Sequence, residues 1–156
     1  MRNLKDIILE RLVLSKNKSS DIPWEDFCEA LANYLPRKNA KSNTIFVKNT
    51  NIKSLVNDLF VWDTVESFIC NHCKNLKSLE GAPKKCINFI CTFCDSLTNL
   101  IGAPEYVDTE FKCDYCRNLS SLEGITWKSV HHFSCKGTSI HLTARESIHS
   151  GSGSIF

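Results

Sequence analysis

The sequence predicts an α/β repeat solenoid, in which short parallel strands stack on one another and an N-terminal helical hairpin caps one end. The first observation is a repeat: the segment 68–83 returns at 89–104 and at 111–124, and a further copy begins at Phe133. A unit of this length cannot bury its own apolar edge, so successive copies must stack. The second observation is a pair of helical patterns before residue 36.

The composition describes one ordinary soluble domain. The chain has 156 residues, of which 42% are hydrophobic and 23% are charged, and its formal net charge is +2. This length excludes a multi-domain enzyme. The small net charge provides no broad field that would attract nucleic acid or anionic lipid. The apolar run Ile7–Leu9 is cut off by Glu10 and Arg11, so it is too short for a secretory core or a membrane-spanning helix. We therefore expect a cytoplasmic protein with no membrane partner.

Residues 1–41 form the predicted cap. Apolar residues recur at helical spacing between residues 3 and 15, and a second helix has Asp21 as its N-cap and Pro23 in its first turn. Pro36 ends this second helix. An open stack of strands needs an atypical terminal unit to cover its apolar end, which favours a capping role for the hairpin. A separate docking module, joined to the repeats by the basic segment 37–41, remains an alternative.

The repeats predict a solenoid over residues 42–142, followed by a tail at 143–156. The common pattern is Phe-x-Cys-x-x-Cys-x-x-Leu-x-x-Leu-x-Gly-Ala-Pro. Phe and the first Cys lie two residues apart, so they point to the same face of a short strand. The two leucines suit a tight turn, and Gly-Ala-Pro suits a corner. A degenerate copy with Phe46 at the first cysteine position brings the total to four full copies and a partial fifth. The segment 56–65 is expected to hold a helical turn.

This pattern resembles the leucine-rich repeat, which has a period of ~20 to 29 residues. The resemblance places Phe89 and Cys91 at buried strand positions and Cys94 at the position that is usually Asn or Cys. The Leu-x-x-Leu-x-Gly-Ala-Pro connector is similar to short repeats of bacterial and bacteriophage proteins. Phenylalanine and cysteine replace leucine on the strand, and the last copy, Phe133 to Leu142, lacks the connector.

Three Cys-x-x-Cys pairs, Cys70/Cys73, Cys91/Cys94 and Cys113/Cys116, allow three interpretations. Their separation is a zinc-ribbon spacing, and a Cys-x-x-Cys pair can also be a redox site. However, the whole unit repeats with the pairs, so each cysteine is explained as one copy of a repeated buried position. Nine cysteines without a secretion signal also argue against a disulfide framework. We expect structural thiols in two columns, with no metal and no cofactor.

The strand residues that point away from the core predict a concave recognition surface. Apolar and aromatic side chains lie at its centre and charged ones at its rim, which is the composition of a protein-binding hot spot. The predicted binding residues are Ile69, Asn71, His72, Ile90, Thr92, Phe93, Lys112, Asp114, Tyr115 and Lys136.

The sequence contains no enzyme signature, because it has no Gly-rich phosphate loop, no nucleophile elbow and no His-Glu-x-x-His motif. The expected function is therefore a non-enzymatic protein-protein interaction module. The resemblance to phage repeats suggests a viral accessory protein of a bacteriophage, with an anti-defence role as an inhibitor of a host enzyme or defence factor. A zinc-binding nucleic-acid module that uses the Cys-x-x-Cys pairs is the alternative, and self-association of the concave face stays open.

Overall fold

The computed structural model describes residues 25, 28, 44–47, 52–56 and 65–140. Five strands form one sheet: β1 (Thr44–Val47), β2 (Ser67–Asn71), β3 (Lys85–Thr92), β4 (Tyr106–Lys112) and β5 (Ser129–Ser134). Their order in the sheet is the order in the chain, and every neighbouring pair is parallel. The predicted stack of short parallel strands is therefore confirmed, as a β-solenoid of about four turns. Within the described residues, no helix has the length and apolar character needed to cross a membrane.

The strand register aligns the repeats, and this builds the core. The repeated phenylalanines Phe68, Phe89, Phe111 and Phe133 pair in sequence across β2 to β5. All four are buried, and the ring centroids of successive members lie 5.6, 5.2 and 5.4 Å apart. Burying a side chain of this size stabilises a fold by about 1.5–3 kcal/mol. The phenylalanine column is therefore a major source of stability between turns of the solenoid.

A β-bulge absorbs the difference in length between two successive repeats. Phe89 to Phe111 spans one residue more than Phe68 to Phe89. The register between β3 and β4 shifts between Cys86 and Asn88, so Cys86 pairs with Val107 and Asn88 pairs with Glu110. The extra residue is thus accommodated before the phenylalanines, which remain aligned.

Two tight turns shape each connector. We call one strand with the connector that follows it a rung of the solenoid. In the rung of β2, the Leu76 amide donates to the Cys73 carbonyl at 3.0 Å, and the Ala82 amide donates to the Leu79 carbonyl at 2.9 Å. Gly81, in the second turn, has a φ of 88°, which favours glycine. A Cβ atom there would also collide with the backbone of Leu55 in the preceding rung. The glycine is therefore required both by the turn and by the close stacking of rungs.

The described residues show the solenoid but not the helical part of the predicted α/β class. Residues 73–84, 94–105 and 116–128 contain turns and bends but no helix, which agrees with the tight turns predicted for the connectors. Most of the helical prediction lies outside the described residues. This applies to the cap at 1–41, where Glu25 and Cys28 alone are described and are helical, to most of the predicted turn at 56–65, and to the tail at 143–156.

The register also corrects the alignment of the first rung. Val47, and not Phe46, pairs with Cys70 at the first cysteine position, whereas Phe46 pairs with Ile69 on the outer face. Val47 is buried and Phe46 is half-buried. Phe46 therefore joins the strand face that the sequence analysis assigned to recognition.

Candidate functional site

The outer face of the strands carries a half-buried apolar row. Phe46, Ile69 and Ile90 occupy equivalent positions on β1, β2 and β3, and Lys112 occupies that position on β4. Side chains alternate between the two faces of a strand, so these residues point away from the phenylalanine column. Sequence reasoning missed Phe46 because the predicted alignment placed it at the first cysteine position, where its side chain would point into the core. The observed register differs by one residue, which moves the side chain to the other face of the strand. Ile45, Phe46 and Val47 are all apolar, so the sequence does not by itself choose between the two registers.

A polar row lies beside the apolar row, and its members bond to one another across rungs. The Thr92 hydroxyl donates to the Asn71 side-chain oxygen at 2.7 Å. Asp114 accepts from the Ser134 hydroxyl at 2.6 Å and from the Lys136 amide at 2.8 Å, both through its Oδ1 atom. Asp114 is 8% exposed. The interpretation of Asp114 as an exposed rim charge is therefore wrong: its carboxylate ties the ends of β4 and β5 together.

Lys112 is also partnered on this face. Its ammonium lies 2.8 Å from a Glu110 carboxylate oxygen, and the His132 ring lies 3.9 Å from the same oxygen. Sequence reasoning missed Glu110, although it stands two residues before Lys112 and so shares its side of the strand. It also missed His132, which pairs with Glu110 across β4 and β5. Lys136, at the end of the last rung, is exposed.

His72, Phe93 and Tyr115 form an aromatic ladder at the corner that follows each strand. The His72 and Phe93 ring centroids lie 4.7 Å apart with an interplanar angle of 4°, and those of Phe93 and Tyr115 lie 5.0 Å apart at 13°. All three side chains are exposed, Phe93 by 40% and Tyr115 by 48%. The structure thus brings together three predicted binding residues as one stacked surface.

The backbone of the ladder is unusual. His72, Phe93 and Tyr115 have φ angles of 58°, 57° and 59°, in the left-handed region. The amide of each residue still donates to the next rung beyond the strand end: His72 to the Thr92 carbonyl at 2.9 Å, and Phe93 to the Asp114 carbonyl at 3.1 Å. Sequence spacing identified these residues as outward-facing but contained no signal of their backbone conformation.

Gly137 completes the series on the next rung, with a φ of 65°. A Cβ atom at this position would lie 2.7 Å from Cδ1 of Tyr115. The Tyr115 ring therefore lies directly over the Gly137 backbone. The fourth copy of the corner keeps the left-handed geometry without an aromatic side chain.

The cysteines form two buried columns, as predicted. The first column contains Cys70, Cys91, Cys113 and Cys135, and the second contains Cys73, Cys94 and Cys116. Second-column thiols donate to backbone carbonyls of the preceding rung: Cys94 to the Cys70 carbonyl at 3.5 Å and Cys116 to the Cys91 carbonyl at 3.3 Å. These weak bonds support a structural role, because a small thiol both fills the corner and meets a buried acceptor.

The two columns also touch each other. The Cys70 and Cys73 sulfurs lie 3.3 Å apart, and the sulfurs of Cys70, Cys91 and Cys94 all lie within 4.8 Å of one another. A hydrogen bond to Cys73 and burial raise the pKa of Cys70, and a hydrogen bond to Cys116 and burial raise the pKa of Cys91. Raised pKa values reduce thiolate content, which argues against Cys70 and Cys91 as redox nucleophiles.

Comparisons with protein-family models, with curated proteins and with solved structures found no match.

Proposed function

We propose that this protein is a non-enzymatic protein-binding module and that its recognition surface is the aromatic ladder with the adjoining outer strand face. The observation that carries the proposal is that three aromatic residues adopt the left-handed conformation at equivalent corners. The equivalent corner of the last rung has glycine, Gly137, in the same conformation. A strained conformation that recurs at exposed residues is evidence for a functional constraint.

The energetics favour function over folding as the reason for the ladder. A left-handed conformation costs a residue with a side chain about 1–2 kcal/mol. A stacked aromatic pair returns about 0.5–1.5 kcal/mol beyond the burial of its apolar area. The stacking of two pairs therefore does not by itself offset the strain of three left-handed residues. Glycine at all three positions would meet the backbone requirement at less cost.

A partner protein would meet a preformed surface. Stacking fixes the three rings, so their ordering costs little further entropy on binding, and aromatic side chains are enriched among interface hot spots. The half-buried Ile69 and Ile90 extend the apolar area, and Asn71, Thr92, Lys112 and Lys136 add polar groups around it. This is the arrangement of an apolar centre with a polar rim that protein interfaces use.

The family and biological setting are parts of the same proposal. The parallel stack and the repeated Leu-x-x-Leu turns support membership of the leucine-rich repeats. The connector's similarity to bacterial and bacteriophage repeats suggests a phage accessory protein that inhibits a host enzyme or defence factor in the cytoplasm.

The test is partner capture with matched variants. Asn tolerates the left-handed region, so Phe93→Asn and Tyr115→Asn remove the rings while preserving the corner. Ile101→Glu is the control, because Ile101 is 37% exposed in a connector outside the face and neighbouring rungs carry Glu80 and Glu123 there. We expect wild type and Ile101→Glu to retain the same partner from a lysate of the native host. The purified partner should bind Phe93→Asn at least ~30-fold more weakly, as for a hot spot of ~2 kcal/mol. Unchanged affinity would refute the assignment of the surface.

The zinc-dependent nucleic-acid module is less well supported as an alternative. A zinc ribbon holds one ion between two complete Cys-x-x-Cys pairs. Here the three sulfurs that lie close together belong to one complete pair, Cys91/Cys94, and to a single member of another, Cys70. Stoichiometric zinc together with loss of nucleic-acid binding on chelation would favour this alternative.

A further inference from the structure

We propose that Cys70, Cys91 and Cys94 form a binding site for a single Cu(I) ion inside the solenoid. Their three sulfur atoms lie within 4.8 Å of one another, and all three residues are fully buried. This proposal does not depend on the protein-binding function.

The geometry suits three-coordination. With a metal–sulfur bond of ~2.3 Å, three sulfurs around a trigonal ion lie ~4.0 Å apart. The observed group needs shifts of less than ~1 Å to reach this arrangement. Cys70 and Cys91 are paired across β2 and β3, and Cys94 follows β3 at the corner, so backbone hydrogen bonding holds the three positions together.

The donor set selects the ion. Thiolate ligands favour Cu(I), Zn²⁺ and iron–sulfur clusters, whereas structural zinc sites have four protein ligands. No His, Asp or Glu of the described residues joins the group of three sulfurs. Cys73 lies 3.3 Å from Cys70 but is outside that group. A soft ion that accepts three sulfurs therefore fits better than one that needs a tetrahedron.

A neighbouring thiol can partly offset the charge of the site. Each cysteine that binds as a thiolate releases a proton to solvent, which leaves negative charge on the buried sulfurs. The Cys70 thiol donates to the Cys73 sulfur at 3.3 Å, and the Cys73 thiol donates over longer distances to the Val47 and Asn71 carbonyls, at 3.7 and 3.8 Å. Once Cys70 has lost its proton, the Cys73 thiol can turn from those carbonyls and donate to the metal-bound Cys70 sulfur. Binding sacrifices the Cys94 donation to the Cys70 carbonyl, which is a weak bond.

Copper titration of the full-length protein tests the proposal. The reduced protein is loaded anaerobically with Cu(I) and passed over a desalting column in the presence of a competing Cu(I) chelator. We expect one copper per chain, and X-ray absorption of the wild type should show three sulfur neighbours. Cys70→Ala, Cys91→Ala and Cys94→Ala should each weaken binding by more than ~10-fold, the least expected when a ligand rather than its support is lost. Cys86→Ala is the control, because Cys86 is a buried thiol outside the group.

Several results would overturn the assignment. For the wild type, these are retention of no copper or of several copper ions, four sulfur neighbours of the copper, or preferential retention of zinc. For the variants, they are folded variants of the three cysteines that bind copper as tightly as wild type, or an equal loss of copper affinity in Cys86→Ala. Circular dichroism establishes which variants fold. If the alanine variants do not fold, the X-ray absorption measurement on the wild type still decides between three sulfurs and any other coordination.

Discussion

Substitution of two phenylalanines of the same rung should change stability by very different amounts, and this contrast tests the interpretation of the ladder. Phe89 is fully buried in β3 between Phe68 and Phe111, with ring centroids at 5.6 and 5.2 Å. Phe93 follows four residues later and is 40% exposed. Truncating a buried phenylalanine to alanine typically costs ~3–5 kcal/mol. We expect Phe89→Ala to lie in this range.

The expected effect of Phe93→Asn is much smaller. The substitution removes two stacked contacts, with His72 and with Tyr115, at about 0.5–1.5 kcal/mol each. It also relieves most of the left-handed strain of about 1–2 kcal/mol, because asparagine visits this region readily. The two changes largely cancel, so the free energy of unfolding should change by less than about 1.5 kcal/mol.

Urea denaturation, followed by circular dichroism, measures both values. Equal m-values in wild type and variants would show that the same unit unfolds in each. Tyr115→Asn provides a second measurement on the ladder, with one stacked neighbour instead of two. If Phe93→Asn is destabilised as strongly as Phe89→Ala, the ladder is a structural element, and the observation that carries the proposed function is lost.

Three further predictions concern single positions. Gly102→Ala should lower the free energy of unfolding by more than ~2 kcal/mol, since the residue has a φ of 83° and a Cβ atom would collide with backbone. An unchanged melting temperature would contradict the described conformation of this turn. Burial raises the pKa of Cys86 from 9.0 to about 12, so the contribution of the neutral thiol to the free energy of unfolding is present below pH 9 and lost as pH rises towards 12. Between pH 8 and 11 the free energy of unfolding of wild type should therefore fall by up to about 3 kcal/mol more than that of Cys86→Ala, and parallel curves would refute this. Asp114→Ala leaves the Ser134 hydroxyl and the Lys136 amide without their acceptor, so it should cost about 1–3 kcal/mol and speed hydrogen exchange at Lys136; unchanged exchange would contradict it.

The periodicity of the sequence predicted the parts of the structure that every rung shares. Phe89 and Cys91 recur with fixed spacing, and parallel pairing of equal units must place such residues in columns. The same argument located the outward-facing residues, because alternation along a strand follows from the backbone alone. The buried columns and the identity of the exposed rows could therefore be predicted from one sequence.

Features that depend on a single rung or on backbone torsion could not be predicted in this way. Asp114 occupies the position of Thr92 and Asn71 in earlier rungs, and its burial depends on Ser134 and Lys136 of the following rung. The shifted register of the first rung follows from a repeat unit that is not the same length as its neighbours. No residue pattern signals the left-handed φ, because aromatic side chains are not the ones that usually adopt it.

The Cys-x-x-Cys spacing explains why the ladder and the thiol columns occur together. Two buried strand residues are normally separated by one outward residue, yet Cys91 and Cys94 are separated by two, Thr92 and Phe93. The left-handed Phe93 bends the chain, and the Cys94 side chain is buried while the Phe93 side chain remains exposed. Any ligand that fixes the Cys94 sulfur must also restrict the Phe93 corner. If copper and a partner protein both bind, linkage requires each to change the other's affinity by the same factor.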